Sequence, residues 1–449
     1  METAVAKLLN GIYRAMPKMG NRAKDKVFTV SLLLLFLMMF ADSSGLVPMR
    51  YLYCYSFGCL CLGVTVLASL RGEIAAVRFR RPLVYIWMLF GLLQVVSAFI
   101  NSVDYLADAV MFLAGFPIVY AAWGSMGFDH AFRLLRRAVI YSFIVMLPIN
   151  AVLFPMTGAH YNGLFANENG FAFYLTAVFV CLLPCVFSEE KSKKCAGFIV
   201  LEGICAALLY YSNSRSGQLA SLVALAVFLA MEWKAGRMRK KQLLRLLILA
   251  VACVLLCLLL FPLLAVTLYV PRMAFDEDNR FRLLSMADVQ WGQIFRVAKE
   301  KMQVSGLSAD NISSGRIALW AEFLRSLNWT GHETGFGVYV PSRGQVYATA
   351  HNYFLQQAVS HGIPAGLISL MLLVYAGILT LVETVRRKSA PEYLFTLTMS
   401  IAFGAMAMLT SMEVIYTFPA TLVYFLAQGT VFIRNEASRD GTPEEGKKL

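Results

Sequence analysis

Charged residues are scarce in this chain. Asp, Glu, Lys and Arg make up 15% of its 449 residues, whereas soluble domains contain roughly a quarter. Hydrophobic residues make up 59%, so the composition excludes an ordinary water-soluble domain. The chain must bury most of its surface in lipid, and the predicted fold class is an all-α polytopic membrane protein.

Recognisable metal and nucleotide motifs are also lacking. The sequence has no Walker motif, no His-Glu-x-x-His motif and no Asp-rich metal cluster. Its nine Cys lie mostly inside apolar runs, and Cys59 and Cys61 have no partners at zinc spacing, so we expect small buried residues there. The run Asp276–Asp278 resembles a cation site only superficially, and a solvated acidic turn is favoured. We therefore predict no metal site.

Acidic residues are fewer than basic ones, which gives a formal net charge of +13. Such an excess can indicate nucleic-acid binding. Here the Lys and Arg lie in short clusters between apolar runs, which is typical of membrane topology. We therefore expect no nucleic-acid partner.

Apolar runs long enough to cross the roughly 30 Å hydrocarbon core recur along the chain. The first run has no cleavage site of small residues behind it, so we expect an uncleaved first span. The fourth run is less regular, because Asp104 and Asp108 lie at its start. We predict about twelve spans, near residues 27–47, 51–70, 83–101, 104–123, 137–156, 170–188, 195–211, 217–233, 243–270, 360–382, 394–411 and 414–433.

The connectors between these runs predict the topology. Every second connector is basic, starting with the N-terminal segment, and the alternate connectors are poor in Lys and Arg apart from the single Arg50. The positive-inside rule then places both termini in the cytoplasm and the long polar loop outside. The expected organisation is a cytoplasmic N-terminus (1–26), transmembrane helices 1–9 (27–270), an extracytoplasmic loop (271–350), transmembrane helices 10–12 (351–433) and a cytoplasmic tail (434–449).

The extracytoplasmic loop shows local helical patterns. One covers 281–302, and a second begins at Arg316, with Ser313 or Ser314 as a candidate cap. In the second pattern, an apolar stripe predicts an amphipathic helix that packs through Ile317, Trp320, Ala321 and Leu324.

Three outer segments contain candidate functional residues. Residues 161–170 are rich in amides and Gly, which is typical of a turn that displays hydrogen-bonding groups, or simply of a turn with Asn169 as helix cap. Residues 212–217 place Arg215 among hydroxyls at a helix start. A guanidinium and a helix N-terminus suit an anion such as phosphate, although an interfacial Arg that snorkels is the alternative.

The third segment is His351–Asn352, where the loop returns to the membrane. A His at the water–lipid boundary can exchange protons near neutral pH, although a lone His is more often structural. A functional role for His351 is favoured because Arg215, Arg316 and His351 are all expected on the outer side.

These segments resemble motifs of the bacterial O-antigen ligase and polymerase superfamily, which occur in the same order. The similar segments are Gly163–Asn169 (Gly-x-Phe-x-Asn-x-Asn), Ser214–Gly217 (Ser-Arg-Gly with a Ser inserted), Gly315–Trp320 (Gly-Arg-x-x-x-Trp), Gly335–Gly337 and His351–Gly362. The last motif departs from the family pattern where Ala365 replaces a Gly and Gly366 follows. The resemblance also covers the order of spans and the one long loop late in the chain.

The resemblance implies a membrane glycosyltransferase with a GT-C-type fold in the bacterial inner membrane. Such enzymes move a glycan from undecaprenyl diphosphate to an acceptor hydroxyl, on lipid A-core in ligases or on another lipid-linked unit in polymerases, without metal or nucleotide. It further implies that Arg215, Arg316 and His351 act in catalysis, and that Asn167, Asn169, Ser214 and Asn352 bind substrate, with Glu168 as an alternative base.

Two other function classes stay open from the sequence. A transporter would use Asp104 and Asp108 as proton sites, but few charges lie at midspan and no pair of Gly/Pro-broken helices recurs in two halves. A non-catalytic envelope-assembly protein would use the loop as a docking surface.

Overall fold

A computed structural model of the chain describes residues 1–44, 51–74, 77–158, 160–276, 280–292, 316–411 and 418–434. Up to the long loop, the helices are α1 (Glu2–Ala15), α2 (Asn21–Ser43), α3 (Tyr51–Ser69), α4 (Arg81–Ile100), α5 (Tyr105–Val110), α6 (Phe116–Met126), α7 (Phe128–Leu153), α8 (Glu168–Ser188), α9 (Ser192–Tyr211), α10 (Arg215–Lys234) and α11 (Lys240–Ala265). A π-helical turn, Met111–Gly115, joins α5 to α6.

The loop region contains two antiparallel hairpins and one helix. The elements are β1 (Arg272–Phe275), β2 (Phe281–Leu284), α12 (Arg316–Arg325), β3 (Val338–Val340) and β4 (Gln345–Tyr347). The chain then returns to the bundle through α13 (Tyr353–His361), α14 (Ile363–Arg386), α15 (Pro391–Ala407), α16 (Pro419–Ala427) and α17 (Gly429–Phe432).

This architecture is that of an all-α polytopic membrane protein, as predicted. Within the described residues, nine helical segments are long and apolar enough to span a membrane, and two shorter apolar helices, Cys54–Ser69 and Pro419–Phe432, accompany them. Each of the twelve predicted spans overlaps at least one helix. The fourth corresponds to α5, the π-helical turn and α6, and residues 45–47 and 414–417 of the first and twelfth spans lie outside the described residues. The ninth span begins at Lys240 and ends at Leu268, compared with the predicted 243–270, and α15 has only 17 residues.

The helices differ in whether they are surrounded by protein or exposed at the surface of the bundle. In α8, sixteen of 21 residues are buried, because α9, α10, α15 and α16 surround it. In α11 only five residues are buried, and Leu247, Leu258 and Leu263 are each more than 60% exposed. A row of exposed leucines is stable only in hydrocarbon. We therefore place α11 at the lipid-facing edge of the bundle and α8 at its centre.

The first part of the loop differs from its predicted helix over 281–302. Phe281–Leu284 is a strand that pairs with Arg272–Phe275, so the helical prediction is wrong there, and most of the remaining segment lies outside the described residues. The hairpin closes because Asp276 accepts a hydrogen bond from the Arg280 backbone N–H and pairs with Arg282 at 3.3 Å. Asp276 is therefore part of a structural turn.

The predicted helix after Arg316 is confirmed, but its buried face was wrongly predicted. Leu319 and Phe323 are buried, whereas Ile317 and Leu324 are exposed. The buried pair packs into a small second core with side chains of the β3–β4 hairpin and of α13. The candidate caps Ser313 and Ser314 lie outside the described residues.

Candidate active site

Three of the helices that begin on the side of the bundle carrying the long loop, which we call the loop side, have side-chain caps. Asn167 caps α8, Ser214 caps α10 and Asn352 caps α13, and each side-chain oxygen accepts a hydrogen bond from the N–H three residues further on, at 2.8, 3.4 and 3.0 Å. The expectation that Asn169 caps α8 was wrong by two residues. Helix N-termini carry partial positive charge and favour anions near them.

The starts of α8 and α10 lie against each other. Ser214 Oγ donates a hydrogen bond to Asn169 Oδ1 at 2.7 Å. A Cβ on Gly217 would lie 2.6 Å from the Cβ of Ala172, so the absence of a side chain there allows the close approach. Asn169 and Ser214, both predicted as substrate-binding residues, are thus in direct contact.

Two arginines on this side act on a third, Arg316. Arg215 begins α10 and Arg316 begins α12, while Arg343 lies in the turn between β3 and β4. Burial, and then the charges of Arg215 and Arg343, lower the pKa of the Arg316 guanidinium from its usual range, although an arginine remains charged at neutral pH. Within the part of the chain that the structure describes, neither Arg215 nor Arg316 has a carboxylate partner.

His351 belongs to the same electrostatic cluster. Burial lowers the pKa of its imidazole below 6.5, and the charges of Arg316 and Arg343 lower it further. The ring is therefore neutral at pH 7 and able to accept a proton. Its backbone has φ +48°, a left-handed conformation that few L-residues adopt, which turns the chain sharply from the loop into α13.

The turn around His351 is held from both sides. Trp320 Nε1 donates to the Ala350 carbonyl at 2.9 Å, and the Ala350 N–H donates to Gln356 Oε1 at 2.7 Å. On the other side, Asn352 Nδ2 donates to the Met408 carbonyl at 3.1 Å. The helix that begins with Arg316 is thus bonded directly to the residue before His351.

A crossing of two backbone segments fixes where the loop meets the membrane helices. A Cβ on Gly331 would lie 2.3 Å from the Ser360 carbonyl oxygen, and one on Gly362 would lie 2.2 Å from that of Trp329. Both glycines have positive φ, +83° and +91°. Only glycine accommodates this conformation and this contact together.

Sequence reasoning missed Arg343, which lies close enough to shift the pKa of both Arg316 and His351. Its local signal was the segment Pro341–Gly344, a turn sequence with one cation. A turn arginine in a loop is usually a solvated surface residue, so only its position relative to Arg316 and His351 distinguishes it.

Residues 203–370 match the family model described as O-antigen ligase. This part of the chain is similar to O-antigen ligases. No curated protein matches the chain.

The matched segment contains the whole electrostatic cluster on the loop side. It includes Arg215, Arg316, Arg343 and His351, and it runs from α9 into α14. Asn167 and Asn169 lie before the matched segment, yet Asn169 contacts Ser214 within it. The chain is therefore a multi-pass membrane protein in which residues 203–370 resemble O-antigen ligases.

Proposed function

We propose that this protein is a glycosyltransferase of the bacterial inner membrane that uses an undecaprenyl-diphosphate-linked glycan as donor and a hydroxyl of a second glycan as acceptor. The observation that carries the proposal is the cluster of Arg215, Arg316 and His351 on the loop side, inside the segment that is similar to O-antigen ligases. Of the two reactions of the superfamily, we favour polymerisation, because nothing in the chain identifies a lipid A-core acceptor.

The reaction breaks one bond and forms one. The acceptor oxygen attacks the anomeric carbon, and the bond between that carbon and the diphosphate oxygen breaks. The electron pair leaves with the diphosphate, which stays attached to its lipid and gains negative charge. The acceptor proton moves to a base or to the departing diphosphate.

The cations would stabilise the departing diphosphate. Arg215 and Arg316 can each offer parallel N–H donors to phosphate oxygens, and the starts of α8, α10 and α13 add partial positive charge. Fixed cations of this kind can serve where a divalent metal serves in other phosphate chemistry, so we propose a metal-independent reaction. The mutual repulsion of Arg215 and Arg316 is relieved when an anion binds between them.

His351 would act at the acceptor or at the diphosphate. A neutral imidazole can accept the acceptor proton, and the depressed pKa keeps it neutral before substrate binds. Asn169, Ser214 and Asn352 would position the helix starts, and Asn167 would shape the same surface.

Transfer by the purified protein in lipid vesicles tests the proposal and separates the two reactions. The substrate is an undecaprenyl-diphosphate-linked repeat unit, supplied with and without lipid A-core. We expect a ladder of longer lipid-linked glycans without lipid A-core, as for a polymerase. Transfer only in the presence of lipid A-core would identify a ligase, and no transfer in either case would contradict the proposal.

Because Arg343 lowers the pKa of His351, replacing Arg343 is expected to change the pH dependence of glycan transfer. If neutral His351 is required, kcat/KM falls as pH falls through the pKa of His351. Replacing Arg343 by Gln removes a positive charge that lowers this pKa, so the pKa rises and the acid limb moves to higher pH. The measurement is the pH profile of kcat/KM for the lipid-linked donor.

The matched control for this shift is Arg325→Gln. Arg325 is exposed, pairs with Glu322 on the same helix as Arg316, and does not influence the pKa of His351. Its acid limb should coincide with that of the wild type. An acid limb that stays in place in Arg343→Gln would show that another group limits the rate at low pH.

A further inference from the structure

A separate cavity of about 350 Å³ opens on the loop side, and its charge is opposite to that of the arginine cluster. Its walls come from the start of α5, from loop residues 333–336 and 348–349, and from α13. Asp104, Asp108 and Glu333 line it, and we call it the acidic cavity. Its size lies within the range of small-molecule sites, roughly 300–1,000 Å³.

Two buried side chains in the wall each have one polar atom without a hydrogen-bond partner in the described part of the chain. Gln357 and His361 are 2% and 6% exposed, and both line the acidic cavity. Gln357 Oε1 and His361 Nδ1 have no hydrogen-bond partner among the residues that the structure describes. Buried polar atoms are nearly always paired, so this wall is suited to a ligand that supplies hydrogen bonds.

The ring of His361 is neutral. Burial lowers its pKa to about 3, so at pH 7 it can donate or accept a hydrogen bond but carries no charge. Tyr105 meets this ring edge to face at 4.4 Å between centroids, and Phe336 also lines the cavity. The wall therefore combines neutral polar groups with aromatic surface.

The charge of the acidic cavity limits what it can bind. Among the residues that the structure describes, no Lys or Arg lines it, so an anionic ligand would be repelled by the three carboxylates. The same described residues include no group of three His, Cys, Asp or Glu close enough to hold a metal ion. Carboxylates, amides and aromatic rings together suit a hydroxyl-rich ring with apolar C–H faces.

The cavity is also joined to the turn that carries His351. Thr349 lines the cavity and lies two residues before His351. Gln356 lines it as well, and its side chain holds the Ala350 N–H. A ligand in the cavity would therefore rest against the wall that positions His351.

We propose that the acidic cavity binds one sugar residue of the acceptor glycan, and that this residue is a neutral or amine-bearing sugar and not a uronic acid. This inference rests on the proposed function, since it assigns the acceptor side of the same reaction. It gives Asp104 and Asp108 a role, hydrogen bonding to sugar hydroxyls or an amine. The arginine cluster holds the anionic donor, while the acidic cavity selects against anionic acceptors.

Sugar binding can be measured without any donor. The full-length protein is placed in lipid nanodiscs, which avoids detergents with sugar headgroups, and saturation-transfer NMR is recorded with methyl glucoside, glucosamine or glucuronate as probe. We expect methyl glucoside and glucosamine to bind, glucosamine at least as tightly, and glucuronate to bind at least tenfold more weakly. No binding of any probe, or equal binding of glucuronate, would overturn the proposal.

Substitutions of cavity residues test whether the sugar probes bind in the acidic cavity. Gln357→Leu and Glu333→Gln should each weaken glucosamine binding at least fivefold, and Glu333 is exposed, so its replacement does not endanger folding. Glu322→Gln is the matched control, because Glu322 pairs with Arg325 and does not line the cavity. Unchanged binding in both cavity variants would refute the assignment.

The two proposals can fail separately. Sugar binding without glycan transfer by the wild type would leave the cavity assignment standing and refute the proposed function. Glycan transfer without sugar binding would refute the cavity assignment alone.

Discussion

Replacing Arg316 by Ala is expected to reduce glycan transfer by about 10²- to 10³-fold, the usual cost of removing one preorganised group that stabilises developing charge. Arg316 begins α12 and is half-buried on the loop side, where Arg215 and Arg343 act on it. No carboxylate among the described residues neutralises it, so its charge is available to an anion. The measurement is surface glycan in cells whose only copy of the protein is the variant.

Arg325→Ala is the control on the same helix. Arg325 is exposed and pairs with Glu322 at the other end of α12, so its loss should leave surface glycan unchanged. Arg215→Ala should match Arg316→Ala in effect. Normal surface glycan in both Arg215→Ala and Arg316→Ala, with the protein present in the membrane, would rule out the assignment of these arginines.

Arg316→Lys distinguishes the geometry of the guanidinium from its charge. A lysine keeps the charge but is a point charge with a flexible stem, so it cannot present two parallel donors to a phosphate. We expect transfer to remain far below that of the wild type. Full activity in Arg316→Lys would mean that charge alone suffices at this position.

Replacing Gly362 by Ala is expected to have the largest effect on folding. The new Cβ would lie 2.2 Å from the Trp329 carbonyl oxygen, and Gly362 has φ +91°, where L-residues are strained. Backbone strain and overpacking together cost roughly 2–6 kcal/mol. The crossing of the loop over the start of α14 should open, and both the thermal unfolding midpoint and transfer should fall.

The control for this effect is Gly377→Ala within α14, the helix that Gly362 directly precedes. A Cβ on Gly377 meets nothing within 4 Å, so the substitution should leave stability unchanged or slightly raise it. Gly331→Ala, which would approach the Ser360 carbonyl at 2.3 Å, should resemble Gly362→Ala. Wild-type unfolding midpoints in both Gly331→Ala and Gly362→Ala would show that the crossing does not hold the loop in place.

The membrane-spanning part could be predicted from the sequence, because the apolar length needed to cross lipid leaves few alternatives. Helix starts were predicted less well. At α8, Asn167 and Asn169 both have a side chain that can cap a helix. The hydrogen bond from the Gly170 N–H shows that Asn167 is the cap, whereas Asn169 contacts Ser214. That contact joins two connectors, so no local pattern encodes it.

The loop was predicted less well, for two physical reasons. The 281–284 segment is helical by pattern, but its pairing with β1 supplies the hydrogen bonds that decide its structure. In α12, two apolar stripes compete, and the second core with Val340 and Val359 selects Leu319 and Phe323. In both cases, tertiary contacts determined the local structure.

The candidate site, like the fold, could be predicted from the sequence only in part. Arg215, Arg316 and His351 were predicted from motif resemblance, whereas the contribution of Arg343 follows only from the way the β3–β4 hairpin lies near α12. Asp104 and Asp108 were left without a role in the sequence, and the structure places them in one cavity with Gln357 and His361.

The most direct test of the account uses purified wild-type, Arg316→Ala and Arg325→Ala proteins in vesicles with a lipid-linked glycan donor and its acceptor. Transferred glycan and free undecaprenyl diphosphate are quantified together. We predict that the wild type and Arg325→Ala form both products in equal amounts at the same rate, and that Arg316→Ala is slower by about two orders of magnitude or more. Equal rates in all three proteins, or no undecaprenyl diphosphate released by the wild type, would contradict the account.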